Sequence, residues 1–460
     1  VDAKLLEGRA VAWADVIATR CAAGPFPALQ ISPDPDGVAV LFAALAVERP
    51  FVVLSPESAA WPASLLEAGV SVVAPPRASR LATAARERGL PVLELPEAAA
   101  DGEIGLLRCP AAITFTSGST GTPKAVCRPA AGLFESAAAI ASAYELQSGD
   151  GVLATLSQGG LYGAITGAVM ASVLDSEATI LERFDHRSVI AEFASERHAF
   201  WSCRPHMADL LARCALPGPC PRAPRVCRVS GQRLSPETAR RFQARFGVPL
   251  LNAYATTEHG PLTQQVVRDA ALAGPADAGQ PLAGVRVAIG ERPECPLPPG
   301  QPGRVWAQSP WQSLGLGFPP RLAPQPERHG DWVPTSDIGW MDDDGRVCVL
   351  GRSDDLFKTP SGHLVSPTAI EEALLGCPEV RAAVALPLPR PTGALVAVVV
   401  EGTGIDAERL RRHADTRLPE WARPHVIEIV GRMPLLPTAK VDRGACLEML
   451  ERRSKAGGAE

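Results

Sequence analysis

No stretch of the 460-residue chain is apolar for long enough to cross a membrane. The longest, Val38 to Val47, is about half of a membrane span and stops at Glu48, Arg49 and Pro50, so it reads as a buried helix. There is no run of like charges. A formal net charge of -5 with both signs interspersed leaves no electrostatic footprint for nucleic acid or an anionic membrane. No signal peptide precedes the apolar helix, although a start at Val1 in place of methionine leaves room for a targeting segment already removed. The 11 cysteines, scattered from Cys21 to Cys446, form no CxxC pair, as expected of reduced thiols in a cytoplasmic protein. Cys214, Cys220 and Cys227 come nearest to a cluster, but they lie among prolines, at spacings unlike a zinc site and with no histidine between them. The 8 histidines show no ligand spacing, and no GxGxxG is present. These absences leave a chain long enough for one large domain and a smaller one, with a small molecule as its default partner.

Between residues 36 and 95, candidate helices alternate with short apolar runs at Phe51 to Leu54, Val70 to Ala74 and Pro91 to Leu95. That alternation predicts an α/β layered domain with parallel strands. Another unit places a strand at Arg225 to Ser230, then a helix capped by Ser235 with Pro236 in its first turn. Phe242 and Phe246 stand one turn apart on that helix, Gly247 ends it, and a strand follows from Val248 to Ala253. Residues 291 to 330, rich in proline and glycine, predict loops and short β pieces. The turn Asp342 to Gly345 and the strand Arg346 to Leu350 lead to a boundary at Gly351 to Asp355. Beyond it, a helix capped by Ser366 and Pro367, apolar runs at Ala382 to Leu386 and Leu395 to Glu401, and a helix from Asp406 predict a small α+β domain.

Chemistry concentrates first in Thr114 to Lys124, directly after a predicted strand at Ala111 to Phe115. Gly118 and Gly121 permit backbone turns that aim several N–H groups into one concavity; Thr116, Ser117, Ser119 and Thr120 add hydroxyl donors, and Lys124 adds positive charge. Together these suit a polyphosphate. A Walker loop ends in Gly-Lys-Ser/Thr, whereas this one ends in Pro123-Lys124-Ala125.

The segment resembles the phosphate loop of the adenylate-forming superfamily, which includes acyl- and aryl-CoA synthetases, adenylation domains of nonribosomal peptide synthetases, and luciferases. Further segments resemble that family's other motifs, in order, from about residue 36 to 445. The stretch Asn252 to Glu258 is similar to its aromatic-x-x-Thr-Glu motif, which implies that Tyr254 stacks on adenine, Thr257 contacts phosphate and Glu258 holds magnesium. Thr335 to Gly339 is similar to its Thr-Gly-Asp motif, with Ser336 for the usual glycine, implying that Asp337 binds the ribose hydroxyls. Gly351 to Lys358 resembles its hinge, with Arg352 at the ribose and Asp354 as pivot. Pro434 to Arg443 resembles its C-terminal catalytic loop, with Ala439 where glycine is usual before Lys440. A carboxylate attacking the α-phosphorus of ATP brings anion to anion, so a lysine entering the site offsets the charge gathering there. The resemblance also assigns Gly231 and Gln232 to the nucleotide and Tyr162, Gly163, Ser230 and Ala253 to the acid pocket.

The fold so implied is a large α/β domain of layered sheets, residues 1–352, hinged to a mobile C-terminal α+β domain, residues 353–460, that carries the catalytic Lys440. The activity so implied is acyl-AMP formation with ATP and Mg2+, followed by transfer to coenzyme A or to the phosphopantetheine of a separate carrier protein. Amino-acid-activating members place an aspartate near Tyr162-Gly163 to pair with the substrate's ammonium. Here no charge stands there, and a buried ammonium without a counter-ion is costly. An aromatic or acyl acid without an α-amino group is therefore expected. The segment Lys358 to Pro367 is one residue longer than the family's loop lining the thiol channel, which weakens thiol transfer more than adenylation. The alternatives are a stand-alone amino-acid adenylation enzyme, an amide-forming ligase and a protein that binds adenylate without turnover.

Overall fold

The computed structural model describes residues 3–20, 26–30, 35–54, 71–74, 83, 85–87, 89–94, 109–115, 124–158, 160–181, 183–215, 220–266, 276–390, 392–434 and 441–456. Two large sheets form the body. The first runs in the order Arg321–Ala323, Gly315–Phe318, Ala125–Pro129, Ala111–Phe115, Phe51–Leu54, Pro27–Gln30, Ser71–Ala74, Val92–Glu94. Its last five strands are parallel, as the alternating pattern predicts; Val70 and Leu95 lie outside the described residues, and Pro91 stands just before its strand. The other three add antiparallel, joining Gly315 to Cys127 across the sequence. The predicted phosphate loop, 116–123, lies outside the described residues, between the paired strands Ala111–Phe115 and Ala125–Pro129.

The second sheet is ordered Gln280–Pro281, Gly260–Gln264, Leu250–Thr256, Val226–Val229, His198–Cys203, Gly151–Ala154, Ala178–Ile180, parallel except at its first two strands. The helix Pro236–Phe246 covers one face, and its local signals act as expected. The Ser235 hydroxyl accepts from the Thr238 N–H at 3.1 Å, and Gly247 ends the helix at φ 70°. Phe242 stacks on Trp201 at 5.8 Å, and Phe246 meets Phe193 edge-on at 5.6 Å, in a cluster wholly excluded from water. Burying each such ring contributes roughly 1.5–3 kcal/mol. The next strand is displaced toward its C-terminal end, Leu250–Thr256 rather than Val248 to Ala253, which carries Tyr254 to the sheet's edge of loops.

On the opposite face, Leu161–Ala164 and Met170–Val173 form one helix interrupted by a π turn at Ile165–Val169. Gln158 causes the interruption. Its fully buried side chain accepts from the Ala168 N–H at 3.1 Å, and a Cβ on Gly167 would lie 2.5 Å from it. A side chain inserted into the helical ladder shifts the local register.

The proline- and glycine-rich region contributes more regular structure than composition suggests. Arg286–Ile289 and Gly303–Gln308 join Val333–Met341 and Val347–Arg352 in a four-stranded antiparallel sheet. After the turn at 353–355 comes a short hairpin, Phe357–Lys358 with Leu364–Val365, then the helix Pro367–Leu375. The strands Val380–Arg390, Gly393–Gly402 and Val426–Val430 follow, with apolar clusters on both faces under the helices Pro367–Leu375, Ala407–Asp415 and Arg443–Ala456. Arg233 pairs with Glu372 at 3.0 Å, and the Ser366 hydroxyl donates to Leu350 O at 3.0 Å, so this C-terminal unit is tied to the second sheet and to the strand before it.

Candidate active site

Three of the motifs converge where the strands Leu250–Thr256 and Val333–Met341 meet. The Tyr254 hydroxyl donates to Asp337 Oδ2 at 2.6 Å. Asp337 is paired across the ladder with Arg352, whose Nε lies 3.9 Å from Asp337 Oδ1. The Asp337 N–H donates to Thr335 Oγ1 at 3.1 Å, which fixes the start of this exposed-and-buried alternation. Burial raises the Asp337 pKa, while the Tyr254 hydrogen bond and Arg352 oppose the rise. Burial also lifts the Tyr254 phenol well above its usual range, so it remains a donor.

His259 locks the turn that follows Tyr254. Its Nε2 faces Val333 O at 3.1 Å, and a carbonyl only accepts, so Nε2 carries the proton and Nδ1 accepts from the Thr256 hydroxyl at 2.9 Å. Burial pushes its pKa down to about 4, and the ring stays neutral. The turn so held presents Thr257 and Glu258, both half-buried. Among the described residues, the Glu258 carboxylate makes no hydrogen bond or ion pair, and it is a hard oxygen donor of the kind Mg2+ takes. Beneath it, Arg128 is fully buried, donating Nε–H to Trp311 O at 3.2 Å and leaving Nη2 without a partner. Gly260, at φ 73°, makes room for it: a Cβ there would fall 2.3 Å from Arg128 Nη2. Lys124 is exposed, directly before the strand Ala125–Pro129. Thr116, Ser117, Gly118, Ser119, Thr120, Gly121 and Lys440 lie outside the described residues.

The residues assigned to the acid gather around one ring. Tyr162 donates to Cys203 O at 3.0 Å and is bonded to Ser202 Oγ at 2.9 Å. Gly231, at φ 87°, borders the ring: a Cβ there would sit in ordinary contact, 3.9 Å from Tyr162 Cε1. Ser230 is buried, its N–H bonded to Cys203 O at 3.2 Å, and Ala253 is buried on the neighbouring strand. The space a side chain at Gly163 would fill is taken by Ser157 O, 2.0 Å from where a Cβ would stand, so helix packing alone demands glycine there. Gln232 is exposed beside this group, and Asp354 is exposed in the 353–355 turn, accepting from Ser353 Oγ at 3.3 Å. Thr359, Ser361 and His363 bond to one another within the lengthened hairpin, and His363 stacks on Trp421 at 4.6 Å.

Four titratable features that the fold takes wholly or partly out of water stand outside the roles assigned from the sequence motifs: Arg128, Arg228, the ion pair Arg233–Glu372, and His259. The signal for Arg228 was present. It interrupts Val226, Cys227 and Val229 in a strand whose four residues are all buried.

The family model described as AMP-binding enzyme matches residues 37–316, and the model of the AMP-binding enzyme C-terminal domain matches residues 369–440. Among curated proteins, a sulfoacetate–CoA ligase of Cupriavidus necator is 29% identical over 345 residues, which cover 73% of this chain and 66% of the ligase, a little under two thirds of its length. Among solved structures, ATP-bound MatB from Rhodopseudomonas palustris superposes with a TM-score of 0.78 at 21% identity, over 97% of this chain and 93% of that one. The amide bond synthetase McbA from Marinactinospora thermotolerans gives a TM-score of 0.78 at 24% identity, over 96% and 94%.

Proposed function

The chain belongs to the AMP-binding enzyme family, and on that footing we propose that it activates a carboxylic acid as acyl-AMP with ATP and passes the acyl group to a thiol. The observation that carries this reading is the joining of Tyr254, Asp337 and Arg352 into one group. An aromatic face, a buried carboxylate with Oδ1 held only at long range, and a guanidinium suit a nucleoside, with the carboxylate accepting from the ribose diol. Glu258, with Thr257 beside it, would hold Mg2+, which supplies charge neutralisation to the phosphates.

In the first step a carboxylate oxygen attacks the α-phosphorus, the bond to pyrophosphate breaks, and acyl-AMP forms. Lys440 would offset the charge developing on the α-phosphate, with the loop Thr116–Gly121 and Lys124 holding the outer phosphates. In the second, a thiolate attacks the acyl carbon and AMP leaves. The two family-model matches lie on either side of Asp354, which supports domains 1–352 and 353–460 with that residue as the hinge between steps. The acceptor is coenzyme A or the phosphopantetheine of a separate carrier protein; the coenzyme A ligase among the relatives favours the first. Sulfoacetate, named in that relative, has no α-amino group, as expected of the acid here. Among the described residues no helix is long and apolar enough to cross a membrane, and the described cysteines are all free thiols, which supports a cytoplasmic setting.

Pyrophosphate exchange across an acid panel, with mass spectrometry of products with and without coenzyme A, tests the reading. Acyl-AMP in both arms and a coenzyme A thioester in one are expected, and Lys440→Ala should abolish the acyl-AMP. Normal acyl-AMP formation by that variant would refute the assignment, and amides formed when a primary amine is added, with no thioester from coenzyme A, would favour the McbA-like alternative.

A further inference from the structure

A guanidinium without a counter-ion lies beneath the proposed acid pocket. Arg228 is 1% exposed, yet its Nε and Nη1 are buried without any hydrogen-bond partner. No carboxylate among the described residues pairs with it. Its neighbours are the face of the Tyr162 ring, 5.3 Å from Cζ to the centroid, and the Tyr144 phenol, which is no counter-ion. The guanidinium acts on that phenol electrostatically, opposing the rise in pKa that burial causes. An aromatic face attracts the cation but accepts none of its in-plane N–H donors. Burying an unpaired charge and several unsatisfied donors is among the most costly arrangements in a protein interior.

Position says what the missing partner is. In the sheet, Arg228 is level with Ser202 on one side and Leu251 on the other, so side-chain alternation puts it on the same face as Ser202 and Ala253. Ser202 Oγ bonds Tyr162, and the same Tyr162 ring borders the Ser230–Gly231 turn. One ring thus separates the guanidinium from Ser230, assigned to the acid pocket, and Gly231, assigned to the nucleotide.

We infer that Arg228 is a specificity-determining residue that pairs with a second anionic group, carboxylate or sulfonate, on the far end of the acid. This rests on the adenylation reading and names the substrate class within it: acids with two anionic ends, one activated and the other held. The same cation would repel an α-ammonium, a positive reason for excluding amino acids.

The test is ATP–pyrophosphate exchange with matched pairs of acids, each differing in the far group: malonate and succinate against propionate and butyrate, sulfoacetate against propionate, and 2-carboxyphenylacetate against phenylacetate. The wild type should favour the dianionic member of at least one pair by about 100-fold in kcat/KM. Arg228→Met should erase that preference while retaining or gaining activity on the neutral member. Arg228→Lys, which keeps the charge without the planar fork, should fall between and serves if the methionine variant does not fold. Exchange by the wild type with neutral-tailed acids alone, or an unchanged dianion preference in the folded variants, overturns the inference while adenylation stands. Absence of exchange with every acid overturns both.

Discussion

The bond between Tyr254 and Asp337 can be tested by a double-mutant cycle. The hydroxyl meets Asp337 Oδ2 at 2.6 Å, on the short side for an O–H···O contact, and the carboxylate is 7% exposed. Tyr254→Phe removes the donor and leaves a buried carboxylate oxygen unsatisfied, a loss of about 1.5–3 kcal/mol while Asp337 is ionised and roughly 1 kcal/mol when it is protonated. Asp337→Asn keeps an acceptor for the phenol and relieves the burial of charge, so its cost should stay under about 1 kcal/mol. The coupling between the two should be about 1–2 kcal/mol. The sign with pH follows from linkage. The hydrogen bond lowers the Asp337 pKa, so deleting it raises the folded-state pKa further, and the folded state then gives up its proton less readily than the unfolded chain. Tyr254→Phe should therefore cost more at about pH 8 than at about pH 5. Urea denaturation at both pH values, with the slope m unchanged, reads all of this. Nucleotide binding separates the roles: the phenylalanine keeps the ring, so KM for ATP should change less than about fivefold, whereas Asp337→Asn should raise it about 10- to 100-fold. A coupling below about 0.3 kcal/mol, or an Asp337→Asn enzyme with unchanged KM, would refute the reasoning.

Other outcomes follow from packing and titration. Gly279→Ala places a Cβ 2.0 Å from the Gln264 backbone at a φ of 81°, and should cost about 3 kcal/mol or more in chemical denaturation; a loss under about 1 kcal/mol would show that the strand pair relaxes freely. Gly163→Ala drives against Ser157 O and should push the helix bearing Tyr162, raising KM for the acid while KM for ATP holds; equal effects on both would place the helix elsewhere in the mechanism. Glu372 and His259 should work against each other between about pH 5 and 6.5. Burial pushes Glu372 up to about 7 with Arg233 opposing, so the folded state keeps a proton that the unfolded chain loses, and stability falls as pH rises. His259, pushed down to about 4, refuses a proton that the unfolded chain takes, and stability rises over much the same range. Glu372→Gln should uncover the His259 slope, approaching about 1.4 kcal/mol per pH unit at most, and His259→Gln the opposite one; a variant whose slope matches wild type rules out its group.

What was legible in the sequence was local. Ser235, Pro236, Phe242, Phe246 and Gly247 specify their helix within a dozen positions, and the structure follows them. The antiparallel edge of the first large sheet was not legible, because Gly315 pairs with Cys127 across a separation no periodicity records. The π turn depends on Gln158 reaching Ala168, a contact that only the folded helix creates. At the site, the motifs named Tyr254 and Asp337 as two separate contacts for a nucleotide. The fold bonds them to each other, so the carboxylate orients the ring while the ring's hydroxyl occupies one carboxylate oxygen. A ribose arriving at Asp337 therefore competes for Oδ2 or takes Oδ1, the oxygen 3.9 Å from Arg352. Taking Oδ1 leaves the ring's orientation intact and engages Arg352 at the same time, and Arg352 is the last residue of its strand, directly before the turn that holds Asp354. The proposed nucleotide contacts and the proposed hinge thus meet at adjoining residues, and a weakened Asp337 should disturb both the grip on ATP and the turn that follows it.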